Sequence, residues 1–260
     1  MIRALWTAAT GMTAQQANLD VISNNLANVN TTGFKKTRNN FQDLMYQTLR
    51  QAGASTGADT EVPTGIQIGH GVRQVATEKI YTSGNPQSTG KDLDVAIEGN
   101  GFFQITMADG TLAYTRDGSF TTDGQGRIVT ADGYLLEPAM TVPDGTTQIT
   151  ISAEGIVTAT LSDTTEELGQ ITLARFINPA GLSSVGHNLL KETVASGAPV
   201  VGNPGEDGAG KLLQQYLESS NVQVVEEMVN MIVAQRAYEI NSKAITTADD
   251  MLEKAAALKR

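Results

Sequence analysis

Apolar residues recur at a spacing of seven at both ends of the chain and alternate every second position in its middle, which predicts helix, then strands, then helix. Leu5, Met12, Leu19 and Leu26 form the first column, and Ala8, Gln15, Ile22 and Val29 sit three residues after each, with Gln15 as the single polar interruption. Residues 3–29 lack proline and contain one glycine, Gly11, so they predict a helix about 40 Å long. It should stop near Asn28 to Asn30, where Asn, Thr and Gly33 compete for backbone bonds or take positive φ. At the other end, Ser220-Asn221-Val222-Gln223 has the spacing of a capping box. Val224, Met231, Tyr238, Ile245 and Leu252 then form a second column, flanked by Val225, Met228, Val229 and Ile232, over a helix of about 58 Å. Ala244, Ala248, Ala255 and Ala256 keep one side slim enough for close helix approach.

Between these ends Leu93, Val95 and Ile97 alternate with Asp92, Asp94 and Ala96, and β-favouring runs follow at 102–105, 112–115, 128–130, 148–151, 156–160 and 171–176. Asp-Gly pairs begin at Asp109, Asp117, Asp123, Asp132 and Asp144, beside or between these runs, where hairpin turns need positive φ. The fold class expected is α+β with several domains. Residues 1–35 and 218–260 make a coiled-coil-like helical domain, 92–176 an antiparallel β domain, and 36–91 with 177–217 an extended connecting region. Residues 51–70 and 200–210, rich in Gly, Ser, Thr or Pro, read as loops or linkers.

Bulk properties narrow the partners. The 260 residues carry 28 acidic against 18 basic side chains, a formal charge of −10, which argues against nucleic acid and anionic membrane surfaces. Cysteine is absent, so disulfides, thiolate metal sites and cysteine nucleophiles are excluded. No stretch has the length of a membrane span, and the first residues lack the pattern of a cleaved leader, so any export is expected to use another route.

Catalytic patterns fail on inspection. Gly205-Glu206-Asp207-Gly208-Ala209-Gly210-Lys211 has the spacing of a phosphate loop, but Leu212 stands where Ser or Thr would bind magnesium, and two carboxylates would repel phosphate. His70 and His187 lie far apart without paired ligand spacing. Asp117, Asp123 and Asp132 fit turn chemistry better than a calcium loop, and Ser183, Ser184 and His187 lack a nucleophile's context. No catalytic, cofactor or metal residues are therefore assigned. The terminal stripes remain. One helix partner covers one face, so the second apolar face predicts association, and a contact that repeats without closing builds a filament. The expected interface residues are Leu5, Met12, Leu19, Leu26, Val224, Met228, Met231, Tyr238, Ile245 and Leu252.

The run from Ser23 through Asn24, Asn25, Leu26, Ala27, Asn28, Val29, Asn30, Thr31, Thr32, Gly33 and Phe34 to Lys35 resembles the hallmark of the bacterial flagellar rod and hook axial proteins. So do Glu226-Glu227-Met228-Val229-Asn230-Met231-Ile232 and Ala234-Gln235-Arg236-Ala237-Tyr238-Glu239, with Asp92 to Phe103 and Tyr114 to Phe120 similar to that family's β domain. The larger outer domain of hook members is missing, so the resemblance runs to the distal rod branch, with the proximal rod branch next. It implies a hollow helical homopolymer whose terminal helices line the export channel and which transmits torque across the periplasm. It also implies contacts with proximal rod proteins, with the hook protein through a junction, with bushing rings in the peptidoglycan and outer membrane, and with the flagellar type III export apparatus. Segment 51–70 would brace neighbouring subunits. On the residues alone a second class stays open, a secreted β-domain adhesin or effector whose helical ends serve export or dimerisation.

Overall fold

The computed structural model describes residues 2–53, 55–57, 60–61, 63–161 and 164–257, without the side chains of residues 55–57 and 60–61. The chain divides into two compact units, one made of residues 1–26, 37–78 and 223–260, the other of 27–36 and 79–222. The boundaries differ from those the sequence suggested. Residues 37–78 join the helical unit, and residues 177–217, expected to be connector, belong to the β unit.

In the helical unit, α1 (Ile2–Ala27) and α2 (Val224–Ala257) are the long elements. At 26 and 34 residues they differ by about 12 Å, less than the 20 Å difference that the periodicity suggested. The predicted capping box does not form. The Ser220 hydroxyl accepts from Val222 N–H at 3.3 Å instead, and the carbonyl of Gln223 receives the first helical bond, from Glu227. Glu226 and Glu227 in the first turn suit the positive end of the helix dipole. Thr37–Asp43 pairs with Val72–Lys79, and Tyr46–Arg50 with Ile66–Gly69. A short pair, Ser55–Gly57 with Thr60–Glu61, lies between the last two strands. The stretch 51–70, expected to be irregular, is thus the far part of a β-hairpin; residues 54, 58–59 and 62 of it lie outside the described residues.

The β unit centres on a nine-stranded sheet. Phe102–Thr106 is its hub, flanked by Leu112–Thr115 and Leu135–Glu137, and also paired at Phe102 and Phe103 with Leu173–Arg175. Strand alternation at the hub feeds two cores. Phe103 and Ile105 enter the larger, with Val95, Ile97, Phe120, Leu136, Val157, Ile171 and Leu173, while Phe102 enters a smaller one with Tyr114, Phe176, Leu182 and Leu190. The expected strands at 112–115, 148–151 and 156–160 are found at those bounds. Val200–Gly202 pairs with Leu173–Arg175, and residues 205–210 close a tight turn through Gly205 N–H to Gly210 C=O. The supposed linker at 200–210 is therefore a strand followed by a turn. Asp109, Asp117 and Asp123 all accept backbone N–H groups two residues on, the turn role read from their Asp-Gly context.

Candidate assembly interface

Two contacts fix how α1 and α2 meet. A Cβ on Gly11 would come within 2.9 Å of the Asn241 amide nitrogen, and the Asn25 amide donates to Glu227 at 3.2 Å. The residue numbers of both pairs add to 252, so the helices run antiparallel in that register. Ala8, Ala14, Ile22 and Asn25 are the buried positions of α1, and Glu227, Ala234 and Ala248 those of α2. Small residues form the seam because the backbones approach closely there. Leu5, Met12, Leu19 and Leu26 lie at its flank, half-buried.

Within the hallmark run Asn25 and Lys35 turn inward. Asn25 clamps the backbone of Thr37, accepting its N–H and donating to its C=O, both at 2.9 Å. The pairing of Thr37–Asp43 with Val72–Lys79 is tied to α1 in the same way: Asn39, also buried, donates to Ala17 C=O at 2.8 Å and accepts from Gln74 at 2.8 Å. In the β unit, Asn28 accepts the Thr31 hydroxyl and Thr32 C=O accepts from Asn188. Gly33, at φ +67, donates to Glu218 C=O, and a side chain there would collide with the Arg116 and Asp117 backbone at 2.7 Å. Phe34 is half-buried, and Asn24 and Ala27 are exposed.

Beside the hallmark lies a charged core that periodicity did not reveal. The Glu218 carboxylate accepts from Lys35 Nζ at 2.5 Å, Arg116 Nη1 at 3.0 Å and Gly84 N–H at 2.8 Å, with all three charged side chains almost fully buried. Lys35 also donates to Thr82 C=O, and Arg116 Nη2 to Gly99 C=O. Burial pulls the Lys35 pKa down, and the attraction of Glu218 does not offset burial and the neighbouring Arg116 charge. The signal in the sequence was weak: Arg116 stands beside Asp117 at a turn, and Glu218 is a single charge far from both Lys35 and Arg116 in the chain.

The outside of α2 is apolar in its first turns, and the exposed ion pair of Arg236 with Glu239 falls between Ile232 and Ile240. At 100° per residue, Val225, Val229, Ile232 and Ile240 fall opposite the Glu227, Ala234 and Ala248 seam. They are 76%, 54%, 56% and 68% exposed, and Val224, Met228 and Tyr238 are exposed as well. Met231, Ile245 and Leu252 are half-buried at the seam. Val224, Met228 and Met231 form a face about 100° round the helix from that stripe. Ile2 and Trp6 of α1 and Met45, Tyr46 and Leu49 of the hairpin are likewise exposed. No described helix is long and apolar enough to cross a membrane.

Sequence comparisons match both ends of the chain and the middle of the β unit. Residues 5–35 match the family model described as flagella basal body rod protein, 96–159 the flagellar hook protein FlgE/F/G D1 domain, and 213–258 the flagellar basal body rod FlgEFG protein C-terminal. The flagellar basal-body rod protein FlgG of Borreliella burgdorferi is 57% identical over the full length of both chains. FlgG of Caulobacter vibrioides is 51% identical over 97% of each, and that of Bacillus subtilis 41% over the whole of each. With the hallmark run, the β domain and the C-terminal helix all matched at full length, the chain belongs to the FlgG family of flagellar basal-body rod proteins.

Proposed function

We propose that this chain is a structural subunit of the flagellar distal rod, polymerising head to side into a rigid hollow helical tube that transmits torque from motor to hook. The observation that carries the reading is the exposed apolar stripe of α2, Val225, Val229, Ile232 and Ile240, on a helix whose opposite face is already packed. Such a surface needs a partner. A second copy supplies one at every subunit, and a heterologous contact of this kind extends without limit. The terminal helices form the channel-facing layer of the tube, and the Leu5, Met12, Leu19 and Leu26 flank with Val224, Met228, Met231, Tyr238, Ile245 and Leu252 contributes to the helix seams. Proximal rod proteins, the hook junction, the bushing rings and the type III export apparatus are the partners this role entails. The names of the relatives, all basal-body rod proteins, support it.

The test is to place a charge on the stripe. Val229→Asp and Ile232→Asp should leave the monomer's thermal unfolding unchanged, because both sites are exposed, and abolish pelletable filaments of the full-length chain. Filaments of unchanged yield from the double variant would refute the proposal. The hairpin beyond Tyr46–Arg50 is proposed as a brace between subunits, so deleting residues 54–65 should soften or bend the filament without unfolding the monomer.

A further inference from the structure

A cleft of about 280 Å³ opens on the β unit, walled by Tyr81, Phe102, Arg116, Arg175, Phe176 and Ile177. Two of these residues carry a buried donor that makes no hydrogen bond among the described residues: the Tyr81 hydroxyl and Arg116 Nε. Buried donors are nearly always paired, so a pair of them in one cleft points to a group that comes from elsewhere. The other ends of Arg116 are committed, Nη1 to Glu218 and Nη2 to Gly99 C=O, and its guanidinium lies 5.6 Å from the Phe102 ring centroid. That leaves the Nε edge. Arg175 adds a second guanidinium, which has no ion pair among the described residues.

The missing group is an acceptor and an anion. Lys35 and Arg116 already share one carboxylate, Glu218, so the neighbourhood carries more positive than negative charge before Arg175 is added. Burial holds the Tyr81 proton, with a pKa pushed up to about 12, so the hydroxyl is a donor at any physiological pH. A carboxylate can accept from both a hydroxyl and a guanidinium N–H. The rim distinguishes a macromolecule from a solute. Ile177 is 89% exposed on the cleft wall, and Val200, paired with Arg175 across the strands, is 51% exposed. Apolar shoulders around a cationic base suit an acidic side chain carried on a protein surface. A chain with 28 acidic residues and a net charge of −10 presents many such side chains to its own copies.

We propose that this cleft receives an Asp or Glu side chain of a second copy of the chain, giving the polymer a polar contact in its β layer in addition to the helix stripes. The proposal rests on the homopolymer reading above. Tyr81→Phe keeps the ring and removes only the hydroxyl, and Arg175→Gln removes the rim charge without touching Glu218. For the full-length chain, each should raise the critical concentration for sedimentable filaments about tenfold, the effect of losing one charge-assisted hydrogen bond, with the monomer's melting temperature unchanged. Arg175→Lys offers a direct view. Zero-length carbodiimide coupling of its filaments should link position 175 to an Asp or Glu of another copy, and the same treatment of monomers should not. Critical concentrations within twofold of the unsubstituted chain, or no intermolecular link at position 175 in filaments that do form, would overturn the cleft proposal alone. Saturable binding of N-acetylglutamate to the monomer, without effect on filament assembly, would assign the cleft to a solute and overturn it too. An unsubstituted chain that stays monomeric at every concentration would overturn both this proposal and the polymer reading.

Discussion

Glu218→Gln is the sharpest perturbation of the β unit. It keeps the shape of the side chain and removes the one negative charge between Lys35 and Arg116, each within 3.0 Å and almost fully buried. It also presents an amide N–H₂ to a site whose other partners, Lys35 Nζ, Arg116 Nη1 and Gly84 N–H, are all donors. Removing one partner of a buried ion pair typically costs about 3–5 kcal/mol, because the remaining charge is left uncompensated. Here two cations are stranded, so the upper half of that range is expected, a large part of the roughly 5–15 kcal/mol that holds a domain folded. Lys35→Met should cost less than half as much, since Arg116 and Glu218 remain paired and the buried ammonium, already disfavoured in the fold, is gone. Arg38→Gln is the control. Its partner Glu78 is surface-exposed, and the loss should stay within about 0.5 kcal/mol. Urea unfolding should be followed by far-ultraviolet circular dichroism and tyrosine near-ultraviolet signal. The single tryptophan, Trp6, sits exposed on α1 and is blind to the β unit. A Glu218→Gln loss under about 1 kcal/mol, the value of an exposed pair, would refute the reasoning.

Asn25→Ala removes both bonds to the Thr37 backbone and one to Glu227, and should cost about 2–4 kcal/mol, seen as faster amide exchange in Thr37–Asp43. Gly11→Ala brings two opposed effects: a gain of about 1 kcal/mol in helix propensity against displacement of the Asn241 amide. The single change should be nearly neutral in thermal unfolding, and Gly11→Ala with Asn241→Ser should raise the midpoint. Tyr81 supplies a pH test. Its pKa is about 12 in the fold against 10.0 unfolded, so between those values the unfolded chain releases the proton first and stability falls as pH rises. The fall should reach about 2–3 kcal/mol, begin near pH 10, and be missing from Tyr81→Phe when the two proteins are compared by urea titration. Comparing the two variants cancels Lys35 and Lys79, whose lowered pKa values act in the opposite sense as pH rises toward 10.5.

The elements were legible where one local rule decides them. Heptad columns announced both helices, the Asn28 to Asn30 run marked the end of the first, and the β-favouring run at 102–105 marked the hub strand. Which face of α1 would be central was not legible. A column of period 7 drifts about 20° per heptad on a straight helix, so Leu5 to Leu26 winds around the surface, and the centre falls where Gly11 and Ala8 let the backbones approach. The unit boundary escaped for another reason. Leu189–Lys191 and Val200–Gly202 are short runs among Gly and Pro, and they become strands only because Leu112–Thr115 and Leu173–Arg175 are there to pair with them. Local composition carries no record of such distant partners.

The polar hallmark residues Asn25, Gly33 and Lys35 are distinct from the outward stripe proposed for assembly. Asn25, Gly33 and Lys35 spend their polar groups on Thr37, Glu218, Glu227 and Thr82, within the chain's own units. Their task is to fix the local fold inside each unit, which hydrogen bonds of fixed direction do and apolar contacts do not. The outward stripe of Val225, Val229, Ile232 and Ile240 has the complementary property: nondirectional, tolerant of small shifts, and strong in proportion to area. In the proposed polymer, shape is fixed inside by directional bonds and adhesion is left to the outward stripe, so a lesion at Asn25 should destabilise the fold whereas one at Val229 should leave the subunit folded and alone.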